Sequence, residues 1–479
     1  MASLNDSFYI ARSGVITQQE RLAVISHNIA NVDTKGYHRQ KAVLGTNPPN
    51  NPNLFTTRGY SIGTGVKIQD IIRLRDEMRE KVLMDESGDL AMHQQLADSL
   101  GDIEALLNGL GETSLTNRLQ EFWSSWQDLA NNADRMAYRS TLLERSVSLT
   151  DQLNQMSQRL SDYRDGIAAG GVGPAFTGAA ATEVDSVNNL AARIQDLNRR
   201  IFSMSNSGYN PNDLEDQRDL LLRDLGEKLN ISVGADSTIA VDGQTLISGD
   251  GTVRNELSIT DTATMQFMLN GAAVTLNKGS LGGMIETVST IDAMSANLDT
   301  LASELIAAVN AVHLSGYDLE GNPGIEFFTG TGADDIAVNP LLHDPTNSLL
   351  DNPQLIAAAN TIDDPGPPVT PNVRDGANAL EIADLSQVKI AGLNNQTFGD
   401  YFSSMMADLG AQIQDEQDLV FDGEAVVSML ESAVQSQTGV NLDEELMEMI
   451  SAQRAYQAAA RLVTTIDELM EVVINRMGV

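Results

Sequence analysis

The 479 residues are 42% hydrophobic and include no cysteine, so the chain is long enough for roughly two to four domains with real cores and carries neither disulfides nor a thiolate metal site. Its formal net charge of −36 repels phosphate backbones and anionic surfaces, which argues against nucleic acid or membrane as a partner. No run of about 18 apolar residues occurs, and the N-terminus lacks a basic region followed by an apolar core, so neither a transmembrane span nor a cleavable secretory signal is expected.

The first element is a helix. Leu4, Phe8, Ala11, Val15, Gln18, Leu22, Ile25 and Ile29 alternate steps of four and three, the heptad spacing that places one stripe along one side for a partner. The pattern stops at a turn in which Asn31 and Asp33 offer side-chain-to-backbone bonds, Gly36 can take φ > 0, and Tyr37 follows. Residues 45–65, dense in Pro, Asn and Gly, read as an extended, exposed connector.

From Ile71 the pattern is helical to Asn108, and again from Leu115 to Tyr163, where Trp123 and Trp126 beside Phe122 read as core rather than as a ligand-stacking pair. The Gly- and Ala-rich stretch 166–182 reads as a loop, followed by helices over 183–204 and from Asn212 onward, so 71–230 is expected to be mostly a helical bundle. Short β-rich runs follow from Ile231 to Leu276, divided by Asp242-Gly243, Gly249-Asp250-Gly251 and Asn270-Gly271, as in a small antiparallel domain. A helix returns over 281–314. The turn-rich stretch 316–393 is expected to complete or decorate the β layer, and another helix runs over 401–429.

The last element repeats the first. Leu442, Leu446, Met449, Gln453, Tyr456, Ala460, Val463, Asp467, Met470, Ile474 and Met477 keep the four-three alternation, widened by Ile450, Ile466, Leu469 and Val473. Gln18, Gln453 and Asp467 interrupt the stripes in the manner of register-fixing polar residues. The first 46 residues hold five basic side chains (Arg12, Arg21, Lys35, Arg39, Lys41) against three acidic ones (Asp6, Glu20, Asp33), whereas 416–479 is strongly acidic; two matching seams of opposite charge are expected to pair as a coiled coil. The assembly residues expected from these stripes are Leu4, Phe8, Val15, Leu22, Ile25, Ile29, Leu446, Ile450, Tyr456, Val463, Ile466, Met470 and Ile474, with Asn31, Asp33, Gly36 and Tyr37 as the turn motif.

The expected fold class is therefore mainly α with inserted β, a nested multidomain chain. Residues 1–44 and 430–479 form the terminal assembly domain; 45–230, 280–315 and 396–429 a helical, rod-like domain; and 231–279 with 316–395 a small β-rich outer part. An isolated helix of this length is marginal in water, so both termini are expected to be mobile in an unassembled subunit.

The run Ser26-His27-Asn28-Ile29-Ala30-Asn31-Val32-Asp33-Thr34-Lys35-Gly36-Tyr37 resembles the N-terminal signature of bacterial flagellar rod, hook and hook-associated proteins, and Met449-Ile450-Ser451-Ala452-Gln453-Arg454-Ala455-Tyr456-Gln457 resembles their C-terminal one. In the interior, Asn212-Asp213-Leu214-Glu215-Asp216-Gln217-Arg218-Asp219-Leu220, the stretch 279–286, the stretch 309–321 and the entry 439–445 into the last helix resemble the hook-associated members that form the hook-filament junction. The resemblance implies a non-enzymatic, extracellular subunit that is exported unfolded by the flagellar type III apparatus and polymerises in a helical lattice. It also implies neighbouring hook and second junction proteins as partners, and a cytoplasmic export chaperone on the C-terminal segment. The alternatives are a hook or distal rod protein of the same family, or a secreted adhesin that merely has helical ends.

Other chemistry finds no support in the sequence. His27, His38, His93, His313 and His343 are scattered without a zinc-type spacing, and His27 reads as a helix-face or capping residue. Asp318, Glu320 and Asn322 imitate the first ligands of a calcium loop, but Pro323 replaces the required Gly and Thr329 stands where a bidentate Glu belongs. No phosphate-binding or nucleophile motif occurs, and no catalytic residue, cofactor or metal is expected.

Overall fold

A computed structural model describes residues 4–48, 63–107, 114–168, 178–261, 265–344, 346, 351–364 and 370–477. Helix α1 spans Leu4–Ala30, and an antiparallel hairpin follows, β1 (Gln40–Asn47) with β2 (Gly65–Arg73). Then come α2 (Glu77–Leu107), α3 (Leu115–Asn131), α4 (Met136–Ala168), α5 (Ala179–Asn206) and α6 (Asn212–Gly226). The fold is mainly α with small inserted antiparallel sheets, as the patterning predicts.

The hairpin takes the ends of the connector expected over 45–65, residues 45–47 and Gly65, into strand. Val43, Leu44, Val66, Ile68, Ile71 and Ile72 favour strand, so Ile71 lies within β2 rather than opening a helix, and α2 starts at Glu77; residues 49–62 lie outside the described residues. The expected helix over 115–163 is broken at 132–135, where the Asn132 N–H closes back on the Leu129 carbonyl. Most of the Gly/Ala-rich loop lies outside the described residues.

Two three-stranded sheets occupy 232–274: β3 (Ser232–Val233), β4 (Ile239–Val241) and β5 (Gln244–Ile247), then β6 (Leu257–Asp261), β7 (Gln266–Leu269) and β8 (Ala272–Val274). Two of their turns are Asp242-Gly243 and Asn270-Gly271, with both residues of each pair at positive φ, as a two-residue hairpin turn requires. Both sheets pack on α5.

Helix α7 (Gly279–His313) returns along α2 and α4. After it, β9 (Phe328–Thr329), β10 (Ala337–Val338), β11 (Ile362–Asp364), β12 (Thr370–Pro371) and α8 (Ala377–Asp384) are short pieces. Of the two expectations for this stretch, completing or decorating the β layer, the first does not hold: its strands join neither three-stranded sheet, β10 lies on α4, and α8 lies on α3 and α7. Beside the two-stranded pairs β9–β10 and β11–β12, two buried side chains hold it there. Arg139 (1% exposed) donates Nη1 to the Ile356 carbonyl (2.6 Å) and Nε to that of Ala133 (3.0 Å). Fully buried His313 donates Nδ1–H to the Ile325 carbonyl, and its Nε2 accepts the Ala357 N–H (2.8 Å); burial pushes its pKa down to about 4 and keeps it neutral. The Asp318 carboxylate closes a turn, accepting the N–H groups of Glu320 and Asn322 (2.8 Å each).

Phe122, Trp123 and Trp126 are buried against Phe327, Phe328 and Phe398, so the aromatic stripe of α3 is core. Helix α9 (Phe398–Thr438), capped by Thr397 and longer than expected, runs antiparallel to α2, with His93 Nδ1 2.6 Å from Glu416 Oε2. The chain breaks at 439–441 and restarts as α10 (Leu442–Met477), whose Asn441 side chain accepts the Asp443 N–H (3.0 Å) and whose first turn holds Asp443, Glu444 and Glu445, the charge a helix N-terminus favours.

Candidate assembly site at the terminal helices

Helices α1 and α10 pack along each other antiparallel, since Arg21 Nη2 meets Glu448 Oε2 (3.0 Å) and Asn28 meets Glu445 near one end while Gly14 lies against Ala459 further along. A Cβ on Gly14 would stand 3.4 Å from that of Ala459, so the helices meet through small side chains. On α1, Ala11 and Ile25 are buried and Phe8, Val15, Leu22 and Ile29 half-buried, which keeps the expected stripe; the side chains of Leu4 and Ile474 lie outside the described residues.

On α10 the stripe is rotated. Tyr456, Val463 and Met470 are half-buried and Ile466 is buried, but Leu446 is 48% and Ile450 50% exposed. The inner line runs through Glu445, Met449, Ala452, Tyr456, Ala459, Val463, Ile466 and Met470. Gln453 and Asp467 point to solvent and fix no register, while Gln18 keeps a buried Oε1 without a partner. Alanines at 452 and 459 let α1 come close, and they take the inner positions in place of Gln453 and Ala460. Exposed apolar side chains remain outside the pair: Tyr9 and Ile16 on α1, and Leu446, Ile450, Leu462, Leu469 and Val472 on α10.

The turn after α1 anchors the pair. Asn31 Nδ2 donates to the His27 carbonyl (2.9 Å), Thr34 N–H to the Asn31 carbonyl (3.0 Å), and Gly36 sits at φ 77°. Tyr37 folds back so that its hydroxyl donates to Asn28 Oδ1 (2.8 Å) and lies 3.1 Å from His27 Nδ1. Asp33, expected to bond the turn backbone, is exposed and makes no such bond among the described residues.

Beneath the turn is a buried polar latch. Asn28 (1% exposed) also gives Nδ2 to the Gln40 carbonyl (2.9 Å) and to Glu445 Oε2 (3.1 Å), and its Oδ1 accepts the Gln40 N–H (3.0 Å). Glu445, likewise 1% exposed, takes Arg39 Nε on its other oxygen at 2.6 Å, and Arg39 Nη1 reaches Glu444 at 2.7 Å. Burial opposes the Arg39 charge, but Glu445 and Glu444 outweigh it and hold its pKa above the usual value.

A second cluster ties the hairpin and α2 to α6. His38 donates Nδ1–H to Asp216 (2.7 Å) and Nε2–H to Glu80 (2.9 Å), while Arg73 reaches Glu215, Asp216 and Asp219 at 2.7–2.9 Å. Burial opposes a charged imidazole, yet the two carboxylates push the His38 pKa up to about 9. A group raised from about 6.5 stabilises fully below about pH 6.5 and loses that contribution as pH rises through about 9, on the order of 3 kcal/mol at most. Proteolytic resistance around the hairpin should therefore fall between pH 6.5 and 9 in the native chain. His38→Gln should flatten that slope, and an equal slope in the variant would remove His38 as its source.

Three family models match along the chain: a flagella basal body rod protein model over residues 8–38, a helical domain model of the flagellar hook-associated protein FlgK over 100–328, and a flagellar basal body rod FlgEFG protein C-terminal model over 431–477. "Flagellar hook-associated protein 1" of Bacillus subtilis is 28% identical, covering 98% of this chain and 97% of that one, and its Salmonella typhimurium counterpart is 25% identical over 97% and 98%. The chain belongs to the flagellar axial family, among its hook-associated members. The structure of the flagellar hook junction protein FlgK from Burkholderia pseudomallei shares the fold, with a TM-score of 0.59 and 15% identity over 74% of this chain and 99% of that one.

In this axial protein the two terminal matches cover most of α1, its turn and the whole of α10, the elements that the latch joins. Sequence reasoning missed Asn28, His38, Arg39, Arg73, Asp216 and Glu445. The usable signal was Asp213, Asp216 and Asp219, three carboxylates at steps of three on one face of α6, opposite the bases of the hairpin. Gly36 is legible from sequence and confirmed by its φ. Gly36→Val should cost about 1–2 kcal/mol locally and press on Leu220, 3.5 Å from the added Cβ, hindering assembly while the melting temperature of the helical body stays put. Normal filament growth in that variant would make Gly36 an ordinary loop glycine.

Proposed function

We propose that the chain is a structural subunit of the hook–filament junction that polymerises through α1 and α10. The observation that carries this reading is the apolar surface the helix pair leaves uncovered, Leu446, Ile450, Leu462, Leu469 and Val472 on one helix with Tyr9 and Ile16 on the other, in a chain whose relatives over nearly their full length are named hook-associated protein 1. Two helices side by side bury only one stripe each; neighbours in a helical lattice cover the rest. Its partners are further copies of itself, the adjoining hook subunits and a second junction protein. Before assembly the chain is held by a cytoplasmic chaperone on its acidic C-terminal segment, exported unfolded through the type III apparatus, and placed outside the cell. It acts by shape and adhesion and catalyses no reaction. Among the described residues no helix is long and apolar enough to cross a membrane.

Electron microscopy of flagella carrying a tagged chain tests the reading. One short band at the hook tip is the expected result, and label along the hook or in the rod would assign the chain to those structures instead.

A further inference from the structure

Basic side chains are scarce in this protein, 30 against 66 acidic ones, yet four of them, Arg75, Lys81, Arg218 and Arg223, line one cleft of about 470 Å³ between α2, α6 and the start of the β region. Of the acids beside them, Glu80 and Asp219 are committed to Arg75, His38 and Arg73, and exposed Glu77 lies 4.0 Å from Arg75; Arg223 is itself paired with Glu431 of α9 (3.2 Å), which leaves Lys81 and Arg218 as the bases the cleft can offer. Lys81 is exposed and forms no ion pair among the described residues. Arg218 is only 8% exposed, its contacts to Ser237 (3.3 Å) and Asp219 (3.4 Å) are long, and its Nε has no partner. Met78 (79% exposed) and Val233 (40%) give the same cleft an adaptable apolar wall.

The complementary surface is at the far end of α10. Glu468, Leu469, Glu471 and Val472 share one helical face; the two carboxylates are exposed without an ion pair among the described residues, and Leu469 and Val472 are about half exposed. The acids at the near end, Glu444, Glu445 and Glu448, are already taken by Arg39 and Arg21. Glu471 is 26 residues up the helix from latched Glu445, about 39 Å away at the rise of an α-helix, whereas the cleft is bordered by Gly36 and His38 at the latch itself. One copy cannot close this contact on itself.

We propose that the cleft between α2 and α6 receives the acidic, apolar tip of α10, around residues 468–472, from a second copy of the chain. The contact rests on the self-assembly reading above and gives it a second, heterologous element: two different patches on one molecule, which pair head to tail and build open helical arrays rather than closed dimers. Carboxylates of the tip meet Lys81 and Arg218, while Leu469 and Val472 meet Met78 and Val233.

The native chain has no cysteine, so cross-linking sites can be placed at will. Hook–filament complexes isolated from cells carrying Lys81→Cys/Glu468→Cys and treated with a short bis-maleimide should yield a ladder of dimers, trimers and longer products, with each single variant staying monomeric. Absence of the ladder while the chain is present in the complexes overturns the contact and leaves the assembly reading standing. Dimers from a single variant indicate two-fold pairing and also overturn it. Absence of the unmodified chain from the complexes fails the assembly reading itself. Independently, Lys81→Glu should lower the chain's content in the complexes about tenfold, and adding Glu468→Lys should restore it; no restoration rejects the pairing.

Discussion

Arg39→Met should release the base of α10 from the rest of the molecule. Glu445 is 1% exposed and its two oxygens depend on Arg39 Nε and Asn28 Nδ2, so removing the guanidinium leaves a buried carboxylate with one neutral donor. Breaking a buried pair from one side costs about 3–5 kcal/mol, and because the Arg39 side chain is 18% exposed the lower end applies. Hydrogen exchange over 439–450 should accelerate by about two orders of magnitude, the equivalent of about 3 kcal/mol. Arg39→Met/Glu445→Met should recover much of the protection, since no charge is then stranded. Unchanged exchange in the single variant would show that the latch does not hold the helix.

The latch illustrates where the sequence stops being readable. Heptad spacing names the apolar positions of α1 correctly because nothing competes with that stripe. On α10 it places Met449, Tyr456, Val463 and Met470 on the inner line but sets every second position one residue late, because Ala452 and Ala459 carry little hydrophobic weight in a pattern yet set how closely the helices approach. Local chemistry is legible where one residue decides it: Gly36 at positive φ, or the Asp242-Gly243 and Asn270-Gly271 turns. The His38–Asp216, Arg39–Glu445 and Arg73–Asp219 pairs join residues 146 to 406 positions apart, and no periodicity reports on a partner that distant. The turns of 316–395 suggest β structure in the sequence, but the stretch is held to the body in part by single buried side chains, Arg139 and His313, contributed by helices elsewhere. The hook-associated identity, by contrast, rests on motif residues themselves and was readable throughout.

Val463→Asp should separate assembly from folding. Val463 lies half-buried on the inner line of α10 beside buried Ile466, facing α1. Removing it forfeits about 1 kcal/mol of burial, and the carboxylate put in its place is desolvated without a base nearby on the inner line, which adds at least a comparable penalty. The helical body, with its core around Phe122, Trp126 and Phe327, shares none of this contact, so its melting temperature should stay unchanged. A two-helix pair has little stability to spare, and a loss of about 2 kcal/mol or more is enough to part α1 from α10 and spoil the surface offered to neighbours. The expected phenotype is full-length chain in the medium and cells with hooks but no filaments. A clear drop in the melting temperature would instead make α10 an integral part of the folded body, and the division between a self-sufficient helical body and an assembly-dependent terminal pair would have to be given up.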